Sequence, residues 1–113
     1  MLHFQKLDVY KCSIEYLAAA RSIYTALGRG NADLADQLRR ASQSIAQNIA
    51  EGAGRATRAD KTKHFTIARG SAMECAAHLD VIKIEGLIDG QSYERVTELL
   101  ERIVAMLTRL IDP

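Results

Sequence analysis

The stretch FTIARGSAMECAAHLDVI, Phe65 to Ile82, sets Phe65, Ala68, Ala72, Cys75, Leu79 and Ile82 at alternating intervals of three and four residues. That spacing follows the turn of an α-helix and puts all six side chains on one face, so the segment predicts a long helix packed against another helix. Thr57, with Asp60 three residues later, opens it with the pattern of a capping box in which Asp takes the role usual for Glu or Gln. The small residues Ala68 and Ala72, with Gly70 beside them and Ala41 upstream, would let a neighbouring helix come close.

The same period extends in both directions. Downstream, Gly86 and the run Ile88 to Gly90 mark a turn. The last helix, capped by Asp89 or Ser92, carries Tyr93, Val96, Leu100, Ile103, Leu107 and Leu110 inward. Upstream, Asn31 reads as an N-cap with Asp33 in the first turn, followed by Leu34, Leu38, Ala41 and Ile45, and this helix runs out at Gly52 and Gly54. The first helix has a stripe of Leu7, Tyr10, Ile14, Leu17 and Tyr24 broken by Arg21, with Ala20, Ile23 and Leu27 as a second face, and it ends at Gly28 and Gly30. Helices at about 6–27, 32–53, 58–85 and 90–111, joined by short connections, predict a single all-α domain over 1–113: an antiparallel up-down-up-down four-helix bundle. Val81 and Ile84 on the third helix, and Leu99, Val104, Met106 and Ile111 on the fourth, fall outside these stripes. They read either as a wide core stripe or as a subunit interface.

Composition agrees. A chain of 113 residues is one domain's worth, and 48% hydrophobic content with 5% aromatic residues, one Pro and no Trp suits helices better than strands. Cys12 and Cys75 are too few for a disulfide framework and lack zinc-site spacing, so they read as small buried residues of a reducing cytosol. The N-terminal MLHFQKLDVYK has no signal-peptide core, and nothing approaches the ~20 apolar residues of a membrane span. The expectation is a soluble, cytoplasmic protein without a membrane partner. Net charge is +1, but Arg55 to Arg69 holds five basic residues against one acid, whereas Glu74 to Pro113 holds eight acids against four bases.

Recognisable reaction chemistry is missing. A di-iron bundle needs paired Glu-x-x-His motifs, and the nearest approach is Glu74 followed by His78. His3, His64 and His78 are scattered, and His64 stands in a basic segment where a solvated or phosphate-facing role fits. GAGRAT follows a helix instead of a strand and lacks the Gly-Lys-Ser/Thr of a phosphate-binding loop. Cys75 lies in the core stripe with Glu74 and His78 on its flank, which argues against a thiol nucleophile. The reading is a non-enzyme with no catalytic residues, metal ligands, cofactor or small-molecule substrate.

What remains is polar architecture. Continuing the second helix's stripe from Ile45 leads to Asn48 and Gly52, which places Asn48 in or beside the core. Ser44, Asn48 and Glu51 line up on one edge of that stripe, and Ser71, Glu74 and His78 form a similar row on the third helix. The two rows are expected to satisfy each other's hydrogen bonds, fixing register, or to present a ligand or RNA contact.

The run QLRRASQSIAQNIAEGAGR, Gln37 to Arg55, with Phe65 and then ARGSAMEC, Ala68 to Cys75, resembles the four-helix-bundle proteins encoded within intervening sequences of bacterial 23S rRNA genes. By the same resemblance the family includes the accessory variability protein of diversity-generating retroelements. The resemblance implies a four-helix protomer in a homopentameric barrel. For the retroelement members it also implies a basic surface that binds nucleic acid and a reverse transcriptase. It brings no catalytic residues. Here the candidate nucleic-acid contacts are Arg55, Arg58, Lys61 and Lys63, with Arg69 further along and Arg39 and Arg40 nearer the middle of the second helix. The expectation is a homo-oligomer, pentameric by resemblance, that binds RNA or a nucleic-acid-handling partner through this edge. The alternative is a structural or protein-interaction oligomer without nucleic-acid binding.

Overall fold

The computed structural model describes residues 1–113 and contains four helices and no strand: α1 (Asp8–Ala26), α2 (Ala32–Ala53), α3 (Arg58–Ile84) and α4 (Gly90–Ile111). Short 3-10 turns at His3–Lys6 and Arg29–Asn31 precede α1 and α2. Each helix packs on its two neighbours, α1 on α2 and α4, and α3 on α2 and α4. The pairs α1/α3 and α2/α4 are therefore diagonal across an all-α four-helix bundle of 44 × 24 × 21 Å.

The helix ends follow from local chemistry. The Thr57 side chain accepts from the Asp60 amide at 3.1 Å, and the Asp89 carboxylate accepts from the Ser92 amide at 2.7 Å and its hydroxyl at 2.9 Å. That amide bond holds the Asp89 carboxyl below the usual carboxylate range. Asn31 does not cap α2 with its side chain as expected; its Nδ2 reaches back to the Leu27 carbonyl at 2.9 Å and closes the end of α1 instead. Gly86, at φ +73°, ends α3 in a Schellman arrangement, with the Leu87 amide on the Ile82 carbonyl and the Gly86 amide on the Lys83 carbonyl.

All six residues of the Phe65–Ile82 stripe are buried, as are Leu38, Ala41 and Ile45 of α2 and Val96, Leu100, Ile103 and Leu107 of α4. Leu99 is buried too, and Val104, Met106 and Ile111 pack on the core at half exposure, so the spare apolar residues of α4 widen its core stripe. Helix α1 differs from expectation. Its core face is Val9, Cys12, Ser13, Tyr16, Ala20 and Ile23, while Tyr10, Leu17 and Tyr24 are half-buried and Ile14 is 41% exposed. The chain offered two apolar faces here, and the one with smaller side chains turned inward, where Ala20 and Ser13 are fully enclosed.

Candidate functional site

Helix α2 carries polar groups into two places. On the α2–α3 edge, the Ser44 and Ser71 hydroxyls lie 2.9 Å apart, and Asn48 Nδ2 donates to the Ser44 carbonyl at 2.9 Å and to its Oγ at 3.1 Å. Asn48 Oδ1 is then the acceptor for His64 Nδ1 at 3.3 Å, which requires the proton on that ring nitrogen. Ser44, Asn48 and Ser71 thus join across the two helices. Glu51, Glu74 and His78 do not: Glu51 pairs with Arg55, and Glu74 pairs with His78 at 3.2 Å along α3. A shallow open groove of about 370 Å³ beside this row is lined by Gln37, Arg40, Ala41, Ser44, Ser71 and Glu74.

His64 belongs to this row rather than to a purely solvated one. The signal was its position, seven residues before Ser71 and fourteen before His78, on one side of α3. Within the bundle, Tyr16 Oη and Ser42 Oγ are 3.0 Å apart, and Ser42 Oγ lies 3.6 Å from Cys75 Sγ, which ties α1, α2 and α3 together. Burial pushes the Tyr16 phenol and the Cys75 thiol up from their ordinary values. A thiol so placed is protonated and enclosed, which suits packing and not nucleophilic attack. Every buried side-chain nitrogen or oxygen has a partner, and no cluster of three or more His, Cys, Asp or Glu could hold a metal ion.

Gly52, near the end of α2, has a steric reason to be glycine. A Cβ there would stand 2.8 Å from Phe65 Cε1 and 3.1 Å from His64 Cβ, so its hydrogen lets the end of α2 close onto the start of α3.

The basic edge is largely engaged within the chain. Arg58 donates to the Leu110 and Ile111 carbonyls at 3.2 and 3.1 Å, and Lys61 to the Ala53 carbonyl at 3.0 Å; the two cations cap the C-termini of α4 and α2. Arg39 and Arg40 both pair with Asp36, at 2.6 and 3.2 Å, and the Arg39 bond holds the Asp36 carboxyl below its usual range. Arg69 reaches Thr108 Oγ1 at 3.3 Å. Lys63 stands exposed with no ion pair or hydrogen bond.

Residues 5–109 match the family model described as 23S rRNA-intervening sequence protein. The chain belongs to that family. Among solved structures, it is similar to a protein of unknown function from the S23 ribosomal protein family of Bacteroides thetaiotaomicron. The TM-score is 0.86 at 24% sequence identity, over 93% of this chain and 96% of that one, a likeness of fold. No curated protein matches the chain. The stretch SIAQNIAEG, Ser44 to Gly52, carries Ser44, Asn48 and Gly52 to the α2–α3 contact. No helix is long and apolar enough to cross a membrane.

Proposed function

We propose that the protein is a non-enzymatic homo-oligomer, a pentamer on the family resemblance, that works through its surfaces and has no reaction centre. The observation that carries this reading is the outer side of α3, where Ile67, Met73, Val81 and Ile84 are 43%, 55%, 49% and 84% exposed. Single exposed apolar residues are ordinary, but four on one helix, away from its core stripe, are a surface in want of cover. Sedimentation of the purified protein at micromolar concentration tests it. A mass several times 12.5 kDa is expected, and a monomer would overturn the reading.

A second reading adds contact with RNA or a nucleic-acid-handling partner such as a reverse transcriptase. It is favoured by the unpaired Lys63 and the exposed head groups of Arg40 and Arg55, repeated around an oligomer to give avidity without strong single contacts. Arg58 and Lys61 contribute less, because both already serve helix ends. Filter binding to single-stranded RNA should be salt-sensitive and weaker in an Arg55→Glu/Lys63→Glu variant. Absence of binding at low salt leaves the interaction oligomer without nucleic acid as the function.

A further inference from the structure

We infer that the outer face of α3 in one copy packs, in parallel, on the outer face of α1 in the next copy, so that each protomer uses two different surfaces. This rests on the homo-oligomeric reading and names its contact. On α3 the outer residues Ile67, Gly70, Glu74, Ala77, Val81 and Ile84 repeat the three-and-four spacing of the core stripe, displaced by two positions and hence by about 200° around the helix. All six are exposed. On α1 the row Leu7, Tyr10, Ile14, Leu17, Arg21 and Tyr24 has the same spacing; Ile14 and Arg21 are exposed and the other four half-buried, with Leu7, Tyr10 and Tyr24 resting one side on the core.

Gly70 is the second observation. A Cβ built there meets nothing within 4 Å, and its φ is not in the left-handed region, so no contact or turn inside the chain calls for glycine. Glycine in a helix interior is nonetheless less favourable than alanine, because its backbone loses more freedom on folding. A bare spot in the middle of an apolar outer stripe fits the close approach of a large side chain from outside.

The two stripes also match in height. Tyr16 of α1 and Cys75 of α3 both meet the Ser42 hydroxyl, so Tyr10 stands at about the level of Gly70, and Leu17 at about that of Ala77. Because α1 and α3 run in the same direction at diagonal corners, a neighbour placed beside the protomer without rise sets Leu17 over Ala77, and sets over Gly70 the side of Tyr10 left open by the core and by the edge-on Phe4 ring, large side chain on small. Arg21 and Glu85, which make no ion pair in their own chain, lie within one helical turn of each other at the upper end. Two unlike faces at equal height generate a closed ring, whereas a two-fold dimer needs only one self-complementary face.

Gly70→Leu and a Leu17→Cys/Ala77→Cys pair test the contact. Gly70→Leu has room in the protomer and should keep wild-type helicity while falling to monomer mass. The double-cysteine variant should give an intermolecular disulfide ladder on mild oxidation, with neither single variant doing so; native Cys12 and Cys75 are buried. An oligomer that survives Gly70→Leu, or an assembled double-cysteine variant without a ladder, overturns the pairing and leaves the oligomer standing. A monomeric wild type overturns both.

Discussion

Ser42 and Ser44 stand two residues apart on α2 and end in opposite surroundings. Ser42 is fully buried and holds Tyr16 and Cys75, so its hydroxyl joins three helices where water cannot substitute. Ser44 is half-buried at the α2–α3 edge and bonds to Ser71 and Asn48, each of which water can also reach. The inner cluster accordingly bears on stability, and the outer one mainly on how α2 and α3 align.

The largest effect that would separate the two belongs to Tyr16. Tyr16→Ala removes a fully buried ring and should cost about 3–5 kcal/mol, whereas Tyr16→Phe keeps the ring and loses only the Ser42 bond, about 1 kcal/mol. Urea unfolding measures both, and equal losses would mean that the hydrogen bond, and not the packing, dominates.

Alkaline pH sharpens the contrast next. Tyr16 and Cys75 are raised above their ordinary 10.0 and 9.0, so the folded protein keeps protons that the unfolded chain releases. Their contribution is complete below about pH 9 and declines as the pH rises beyond it. The melting temperature should therefore fall above about pH 9, less steeply in Tyr16→Phe, and a profile flat to about pH 11 would contradict this. Asn48→Leu should matter least, below about 1 kcal/mol, because solvent can serve the His64 N–H that it strands at a half-buried position. A loss matching that of Tyr16→Ala would erase the distinction between the clusters.

The same contrast governs how much could be read from the sequence. The stripes of α2 and α4 were legible because each helix has one dominant apolar period, that of α3 because no charged residue interrupts its core row whereas Glu74 interrupts the outer one, and the Ser44–Asn48–Ser71 contact because polar residues beside such a stripe must find partners. Tyr16 and Ser42 were not legible as a pair. Serine and tyrosine are ordinary on helices, and only the crossing of α1 and α2 brings these two together. Helix α1 misled because two stripes compete on it, and spacing reports that a face is apolar without saying which partner covers it. At the basic edge, sequence reveals the charges of Arg58 and Lys61 but not the carbonyl groups of α4 and α2 folded beneath them.

Those two caps make the turn between α2 and α3 a place of competition. Arg58 meets the carbonyl groups of Leu110 and Ile111, more than 50 residues away in the chain, through Nη2 alone, so an anion that takes over that nitrogen displaces them. An anion held in that way would uncap the last turn of α4, at the far end of the sequence.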